Sequence, residues 1–452
     1  MTGDTWFGIM YGMKLKETYR KRIVDGILRR KLSGVGAVLL EGPKWCGKTT
    51  TCEQQAKSVL YMADPDSLER NLAQAETNIK ELLEGDRPRL IDEWQVAPKF
   101  WDAVRFAVDH LDGWGHFILT GSAVPPNEKK QNGKEGMGKG IVHSGTGRIA
   151  RVRMRTMSLW ESGESTGTVS LGELFADGKA SSVSGKSIPR TLGDIAYLVC
   201  RGGWPQAVEQ DRDVALERAF EYLEAIATSD ISRVDGVARD PDRVKRLLRS
   251  YARLQGTQAQ LTVIRNDMRS NDVDSLNEDT IYSYINALKK IFVIEEMPAW
   301  SPCLRSKSAV RTSETRYFSD SSIAAAALGL GPEDLMNDIR SFGWFFETMA
   351  VRDLRVYADA INGSISHFLD RNGLECDAVV HLRNGTSGLI EIKLGGERLI
   401  EEGARSLAKL SGIIDTARMK GVAFKMVLTA TGDYAYTRPD GIIVCPISCL
   451  KS

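Results

Sequence analysis

The sequence predicts an α/β protein in which a parallel sheet with helices on both faces is followed by a helical segment and then by a second α/β domain. Three observations support this order. Short apolar runs alternate with helical patterns in residues 36–121, helical spacing dominates residues 216–300, and strand patterns return in residues 365–429. A chain of 452 residues is too long for one hydrophobic core, so we expect about three domains.

Composition narrows the function classes. Hydrophobic residues make up 42% and charged residues 26% of the chain, as in ordinary soluble globular proteins. No apolar run approaches the roughly 20 residues of a membrane helix, and the N-terminus lacks the apolar core of a secretory signal, so we expect a cytoplasmic protein with no membrane partner. The seven cysteines form no C-x-x-C pair, which argues against a zinc site. A net charge of +1 restricts any nucleic-acid site to a local patch.

The first strand leads into a phosphate-binding loop pattern. After the apolar run 36–40, residues 42–49 fit G-x-x-x-x-G-K-[ST], in which backbone N–H groups point at phosphate oxygens. Lys48 is expected to reach the β- and γ-phosphates of ATP or GTP, and the Thr49 hydroxyl to ligate Mg²⁺. The alternative is a Gly/Lys-rich turn without a ligand. The residues expected to contact the nucleotide here are Gly42, Pro43, Lys44, Trp45, Cys46, Gly47, Lys48, Thr49 and Thr50.

A second strand pattern, residues 89–93, ends in the acidic pair Asp92 and Glu93. In a nucleotide-hydrolysing core, Asp92 would hold Mg²⁺ through water, and Glu93 would polarise the attacking water. The pattern departs from the usual one because only two apolar residues precede the acids and Pro88 lies close by. The alternative is a solvated turn at a strand end.

A third apolar strand pattern, residues 116–122, ends in small polar residues. Thr120 or Ser122 is expected to contact the γ-phosphate or the lytic water. The three motifs each lie at a strand end, where open α/β sheets place their ligands. The strands of this sheet are expected near residues 36–41, 58–63, 89–92 and 116–121.

The segments before and after these strands predict a function less specifically. Residues 14–31 predict a basic amphipathic helix, for which a simple solvated packing helix is the alternative. Residues 127–140 and 162–189 have the polar, Gly/Ser/Lys-rich composition of exposed loops.

Residues 147–155 carry a row of arginines on a strand pattern. Alternation places Arg151, Arg153 and Arg155 on one face, which predicts either an anion-binding surface or a solvated face. Arg148 is a candidate to touch the γ-phosphate, in its own chain or from a neighbouring subunit, as arginine fingers do.

The middle of the chain has the pattern of a winged helix. Residues 277–290 form an amphipathic helix pattern and residues 291–297 a strand pattern. The second helix of such a unit can enter the DNA major groove, but here its only basic residues are Lys289 and Lys290 at the end. Plain protein interaction is therefore an equal alternative.

The last third contains a second constellation. A helix at 341–357 carries Glu347, and the following strand patterns place Asp377 near Glu391 and Lys393, which share one face of their strand. This D…E-x-K arrangement suits phosphodiester cleavage, with Asp377 and Glu391 sharing Mg²⁺. Lys393 would orient the attacking water or neutralise the phosphate, and Glu347 would be a further ligand. The alternative is a salt-bridged lysine without catalysis.

These motifs together resemble bacterial and archaeal AAA-type ATPases, related to the origin-recognition-like group, that carry a C-terminal domain of unknown function with a PD-(D/E)xK nuclease-like fold. The resemblance extends over nearly the whole chain and implies a P-loop NTPase sheet and a restriction-endonuclease-like C-terminal domain. It also implies ATP rather than GTP, with the turn 202–205 near the adenine. The segments that carry the resemblance are 42–49, 90–93, 118–122, 147–161, 202–205, 287–300, 368–377 and 390–395.

We therefore expect a Mg²⁺-dependent ATP-binding and ATP-hydrolysing switch that couples its nucleotide state to a C-terminal nuclease-like or nucleic-acid-binding module. The alternative is an ATP-binding regulatory scaffold that holds a protein partner and has a silent nuclease-like domain. Expected partners are DNA or RNA, a protein partner, or a second copy of the chain. The expected domains are an N-terminal helical arm (1–30), the ATPase domain (31–205), a helical and winged-helix-like segment (206–320) and the nuclease-like domain (321–452).

Overall fold

The computed structural model of the chain describes residues 19–121, 145–176, 179–234, 236–269, 277–301, 313–414, 416 and 420–452. It divides the chain into two compact units, Met1–Arg155 and Thr156–Ser452. Residues 156–205, which the sequence suggested as part of the ATPase domain, lie in the second unit. The predicted loop at 127–140 and the first residues of the predicted helix at 14–31 lie outside the described residues.

The first unit is built around a five-stranded sheet with the order β2–β3–β4–β1–β5, in which every neighbouring pair of strands is parallel. Its elements are α1 (Ile23–Leu32), β1 (Ala37–Glu41), α2 (Lys48–Glu53), β2 (Ser58–Tyr61), α3 (Leu68–Thr77), α4 (Ile79–Leu82), β3 (Arg89–Asp92), α5 (Lys99–Asp109), β4 (Phe117–Gly121) and β5 (Ile149–Arg153). The predicted parallel sheet is confirmed.

Apolar residues cover both faces of this sheet, as expected for a parallel sheet. In β1, Leu39 belongs to a core with Phe117 and Trp101, whereas Val38 faces the opposite core with Ile118 and Leu28. This alternation follows directly from the strand period of two. Helix α5 therefore packs on one face and α1 on the other, and the sheet holds the ends of β1, β3 and β4 in fixed register.

The second unit begins with short strands and helices and ends in a mixed sheet. Its elements are β6 (Val169–Ser170), β7 (Ser184–Lys186), α6 (Leu192–Arg201), α7 (Pro205–Glu209), α8 (Arg212–Ala225), α9 (Ile231–Arg233), α10 (Pro241–Arg253), α11 (Leu261–Arg269), α12 (Glu278–Lys290), α13 (Ser321–Leu328), α14 (Pro332–Asn337), α15 (Ile339–Ala360), β8 (Gly363–Leu369), β9 (Glu375–Leu382), β10 (Ser387–Lys393), α16 (Glu397–Ile413), β11 (Val422–Thr429), β12 (Tyr434–Thr437), β13 (Ile443–Pro446) and β14 (Leu450–Lys451).

The mixed sheet has seven strands in the order β7–β12–β13–β11–β10–β9–β8. Strands β10, β11 and β13 run parallel, and β8, β9 and β10 form an antiparallel meander beside them. At the other edge β7 pairs with β12, and nearby β6 pairs with β14. The expectation that residues 162–189 form an exposed loop is wrong for this stretch, because it supplies two short strands and buries Leu171 and Leu174.

A buried ionic cluster holds the start of the second unit. Arg352 of α15 donates from Nη1 to Asp320 at 3.0 Å and from Nη2 to Asp353 at 2.7 Å, and all three side chains are buried. Asp320 also accepts the Thr156 hydroxyl at 2.6 Å, and Asp353 accepts the backbone N–H of Leu159 at 2.9 Å. Because each charge is paired and hydrogen-bonded, the cluster can be tolerated in the interior.

The predicted strand at 291–297 is not a regular strand. Phe292 has a φ of 60° after the end of α12, and the backbone then forms single bridges from Ile294 to Phe318 and from Met297 to Thr315. The result is a narrow antiparallel ribbon. It follows a helix in the order expected of a wing, but the identity of this segment as a winged helix stays a prediction.

Candidate nucleotide site and carboxylate–lysine cluster

The phosphate loop lies between the end of β1 and the start of α2, as the sequence predicts. A Cβ on Gly42 would lie 2.1 Å from the carbonyl oxygen of Met154, so a residue with a side chain would push this close contact apart. Gly47 has a φ of 97°, in the left-handed region that favours glycine. The two glycines of the motif therefore have separate causes, one steric and one conformational.

Lys48 is the first residue of α2 and its side chain is buried. Its ammonium group donates hydrogen bonds to the carbonyl oxygens of Gly42 at 3.0 Å and Pro43 at 2.8 Å. The side chain thus lies back against its own loop. Both of these partners are neutral carbonyls, which leaves the positive charge at the helix N-terminus available to attract an anion.

The ends of β3 and β4 and the start of α2 lie close together beside Lys48. The Thr49 hydroxyl donates to Oδ1 of Asp92 at 2.8 Å, and the Thr120 hydroxyl donates to the same oxygen. Asp92 ends β3 and Thr120 lies near the end of β4, which stands between β3 and β1 in the sheet. Thr49, Asp92 and Thr120 are therefore brought together as the sequence predicts, whereas Ser122 lies outside the described residues.

Glu93 follows the end of β3 in an unusual conformation. Its φ of 53° is in the left-handed region, which costs energy for a residue with a side chain. Burial raises the pKa of the Glu93 carboxyl, and the positive charge of Lys48 opposes that shift. Such strain and desolvation are typical of functional positions, so the geometry is compatible with a general base.

Gln95 contacts Glu93 and was not identified from the sequence. Its side-chain amide donates a hydrogen bond to Oε2 of Glu93. A Cβ on Gly121 would lie 2.5 Å from Oε1 of Gln95, so the glycine at the end of β4 leaves room for this amide. The only sequence signal was its position two residues after Glu93.

Arg148 lies beside the start of β1, whereas the phosphate loop follows the end of that strand. Its carbonyl accepts from the N–H of Ala37 at the start of β1, and the loop follows the end of β1 at Glu41. Four steps of about 3.3 Å separate these ends, roughly 13 Å of strand. Its side chain pairs instead with Asp109 at 2.8 Å. From this position Arg148 does not reach a nucleotide bound to the phosphate loop of its own chain. That it contacts a nucleotide bound to a neighbouring subunit stays a prediction.

The arginine row on β5 has the predicted alternation, because Val152 and Met154 are buried. Arg151 lies 3.7 Å from Glu41 and its guanidinium stands 5.3 Å from the centre of the Trp101 ring. Burial raises the pKa of Glu41, and Arg151 opposes that shift. Arg151 thus has a role in packing the sheet, and an anion-binding role for the row stays a prediction.

The second predicted constellation is assembled by the register of β9 and β10. Lys393 lies 2.6 Å from Oε2 of Glu391 and 3.3 Å from Oδ2 of Asp377. The same Asp377 oxygen accepts the N–H of Ile392 at 2.7 Å. Asp377, Glu391 and Lys393 are therefore neighbours, as the sequence predicts, and the ammonium group stands between the two carboxylates.

Glu347 of α15 reaches the same cluster from the helix and accepts the Tyr317 hydroxyl. Burial, followed by the charge of Asp377, raises the pKa of Glu347 to about 8. Burial also raises the pKa of Glu391, and its buried Oε1 has no hydrogen-bond partner among the described residues. For Lys393, burial lowers the pKa, but the two carboxylates outweigh it and raise the pKa overall.

The two candidate sites differ in the groups that they offer to a metal ion. Thr49 and Asp92 offer a hydroxyl and a carboxylate oxygen side by side, the hard oxygen donors that Mg²⁺ prefers. Within the described ranges there is no group of three or more His, Cys, Asp or Glu side chains that could hold a metal ion. A metal shared by Asp377 and Glu391 therefore stays a prediction, and Lys393 supplies the positive charge between them.

The surface of α12, the helix expected to enter DNA, is poorly suited to binding a phosphate backbone. Its exposed residues include Glu278, Asp279 and Tyr282, and two of these are acidic. At its basic end, Lys289 forms ion pairs with Glu296 and with Glu314. A phosphate backbone would meet negative charge and an already paired lysine on this face.

Comparison with known protein families is most informative about the first unit. Residues 35–162 match the family model "AAA domain". Residues 192–334 and 342–450 match two models that are each described as a domain of unknown function, DUF8612 and DUF4143. Residues 35–162 are thus similar to AAA-type P-loop ATPase domains. The other two matches name no activity, so the nuclease-like fold and the origin-recognition relationship stay predictions.

Comparison with individual proteins adds little to this. No curated protein matches the chain. Among solved structures, the chain is similar to the Walker-type ATPase PABY2304 of Pyrococcus abyssi, with 12% sequence identity and a TM-score of 0.41 over 69% of this chain and 96% of that one. Among the helices that the structure describes, none combines the length and apolar composition needed to cross a lipid bilayer.

Proposed function

We propose that this protein is a Mg²⁺-dependent ATPase that acts as a nucleotide-controlled switch. The observation that carries the proposal is the meeting of Thr49, Asp92 and Thr120 beside the buried Lys48, at the start of α2 and the ends of the parallel strands β3 and β4. This is the edge of an open α/β sheet where ligands bind. The match of residues 35–162 to an AAA domain supports ATP as the ligand.

Each residue of the loop has a distinct task in this proposal. Lys48 exchanges its two carbonyl partners for phosphate oxygens, because a charged acceptor binds an ammonium group more strongly than a neutral carbonyl. Thr49 and Asp92 hold Mg²⁺, which supplies charge neutralisation on the phosphates when bound. The half-buried Glu93 orients the attacking water and accepts its proton.

The second part of the proposal concerns the C-terminal module. Asp377, Glu391 and Lys393 lie together at one place on the mixed sheet, in the D…E-x-K order typical of phosphodiester-cleaving sites. Lys393 would then shift from the carboxylates to the scissile phosphate or to the attacking water. We propose that nucleotide state controls this module, which either cleaves nucleic acid or binds it.

The first experiment asks whether the module cuts. Purified protein is incubated with labelled single- and double-stranded DNA and RNA, with Mg²⁺ or Mn²⁺, in the presence and absence of ATP. The test variant is Lys393→Ala, and the matched control is Lys409→Ala, which removes an exposed lysine from α16. Cleavage that is lost only in Lys393→Ala supports a metal-dependent nuclease, and a dependence on ATP supports the switch.

Absence of cleavage would contradict nuclease activity but not ATPase activity. In that case ATP hydrolysis is measured with and without nucleic acid. A slow rate that nucleic acid does not change would favour the regulatory scaffold, with a protein partner as the object of control. Binding without cleavage that falls steeply with salt would indicate phosphate contacts.

A further inference from the structure

Arg22 is buried beside the phosphate loop, although it lies far from the motif in sequence. It is the residue immediately before α1, and only 7% of its surface is exposed. Its Nη1 donates to the carbonyl oxygen of Cys46 at 2.9 Å, and its Nη2 donates to the carbonyl oxygen of Arg155 at 2.9 Å. One guanidinium therefore joins the middle of the loop to the chain that leaves β5.

The contact with Cys46 fixes one particular peptide plane. In a trans peptide, the C=O of one residue and the N–H of the next point in opposite directions. When Arg22 holds the Cys46 carbonyl on one side, the N–H of Gly47 must point to the other. Trp45 and Gly47 on either side have φ values of 64° and 97°, so this stretch is held in a conformation that chains adopt only rarely.

A second network keeps Arg22 in place. Its backbone N–H donates to Oδ2 of Asp25 at 2.8 Å, which caps the start of α1. The Tyr19 hydroxyl donates to Asp25 at 2.8 Å and lies 3.0 Å from the hydroxyl of Thr51 in α2. The residues before α1 are thus tied to the helix that follows the phosphate loop as well as to the loop.

We propose that Arg22 is a positioning residue of the nucleotide site, which orients the Gly47 N–H toward the phosphates of ATP. The inference rests on the proposed function and extends it to a residue outside the motif. Arginine suits the task because its planar, always charged head can hold two carbonyls at once, whereas lysine offers a single point charge. The loop is thereby preorganised, and less ordering is required when the nucleotide binds.

The test compares variants of Arg22 in the chain of 452 residues. Arg22→Met removes the donors but keeps an apolar stem of similar length, and Arg22→Lys restores the charge with a single donor group. The control is Arg29→Ala, an exposed arginine on the same helix. ATP affinity is measured by calorimetry with Mg²⁺, and hydrolysis is measured across ATP concentration to separate KM from kcat.

We expect Arg22→Met to weaken ATP binding by about 10- to 100-fold, as loss of a charged hydrogen bond predicts. KM should rise while kcat changes little, because the contact acts on bound nucleotide in both ground and transition states. Arg22→Lys should fall between Arg22→Met and the wild type, and Arg29→Ala should match the wild type.

A folded Arg22→Met protein with wild-type ATP affinity would overturn the inference. If that variant does not fold, the more conservative Arg22→Lys decides, and wild-type affinity there would also overturn it. The proposed function fails separately: it requires that the wild type binds ATP and that Lys48→Ala does not. A wild-type protein without ATP affinity would therefore reject the ATPase, whatever Arg22 does.

Discussion

The two candidate sites of this protein are built in opposite ways. In the phosphate loop, the reactive groups come from consecutive residues, and the lysine is held by carbonyl oxygens that carry no net charge. In the cluster on β9 and β10, Lys393 stands between two carboxylates that come from different strands. The first site has positive charge to offer to an anion, whereas the second has largely satisfied its charge internally.

This difference bears on what each site can do. Binding a phosphate at Lys48 costs only the exchange of neutral partners, so affinity is expected without any activation step. At Lys393, a phosphate must compete with Glu391 and Asp377, both close enough for an ion pair. Activity there is expected only when a cation or a structural change releases the lysine. Substitutions at Lys48, Glu93, Glu347 and Thr120 test this difference between the two sites.

The largest effect is expected for Lys48→Ala. The substitution removes the ammonium group that donates to the carbonyls of Gly42 and Pro43, and with it the positive charge expected to bind the phosphates, so it should abolish ATP binding in calorimetry. The control Lys57→Ala removes an exposed lysine just after α2 and should bind ATP normally. Equal affinity of Lys48→Ala and wild type would reject the nucleotide site.

Glu93→Gln should separate binding from turnover. The amide keeps the size of the side chain but cannot accept a proton, so we expect ATP affinity to stay near wild type and kcat to fall by about 10²- to 10⁴-fold. The measurement is steady-state phosphate release. Glu84→Gln, an exposed glutamate before β3, is the control. Normal hydrolysis by Glu93→Gln would move the general base to another residue.

Glu347 should make the second unit sensitive to pH. Its folded pKa of about 8 lies above the ordinary value of about 4.3, so stability that is present at low pH is lost as pH rises through this window. The loss is at most about 1.4 kcal/mol for each pH unit. The measurement is pulsed hydrogen exchange of β9 and β10 peptides across urea titrations at pH 5 and pH 8.

Glu347→Gln should flatten this dependence, because the amide can still accept the Tyr317 hydroxyl but does not ionise. Glu333→Gln, on an exposed position of α14, should leave the pH dependence as in the wild type. The same pH slope in Glu347→Gln and in the wild type would assign the effect to Glu391 instead, because burial raises the pKa of that carboxyl as well. ATP affinity should not change in either variant, which keeps the two sites distinct.

The smallest effect is expected for Thr120→Val. The substitution keeps the shape of the side chain and removes the hydroxyl that donates to Asp92, while the Thr49 hydroxyl remains. Loss of one hydrogen bond of two should raise KM for ATP by roughly 3- to 10-fold. Thr77→Val, exposed at the end of α3, is the control for steady-state kinetics. An unchanged KM would show that Asp92 needs only Thr49.

The sequence predicted local features better than arrangements between distant residues. The phosphate loop was recognisable because glycine is required at Gly42 by a close contact and at Gly47 by a positive φ. The structure disagrees with the prediction that Arg148 contacts the γ-phosphate in its own chain. Arg148 precedes β5, which runs parallel to β1, so it lies at the end of β1 opposite the phosphate loop. The sequence alone does not specify this arrangement. The contact between Arg22 and the phosphate loop could not be predicted from the sequence, because its partners are backbone carbonyl groups, which every residue has.

The same limit applied to the second unit. Asp377, Glu391 and Lys393 were found because a hairpin turn and period-two alternation are legible in one sequence. Residues 162–189 were mistaken for an exposed loop because strands of two or three residues show no periodicity. Their burial depends on pairing with β12 and β14, which lie more than two hundred residues later in the chain.

That pairing also determines how the C-terminal module can be isolated. The family model for residues 342–450 excludes β7, which pairs with β12 at the edge of the mixed sheet, and β6, which pairs with β14. A fragment cut at this boundary would leave a bare row of backbone donors and acceptors, a template on which further chains can add. Aggregation of such a fragment would then report a missing strand rather than an unstable module, and a fragment that starts before residue 165 would retain both strands.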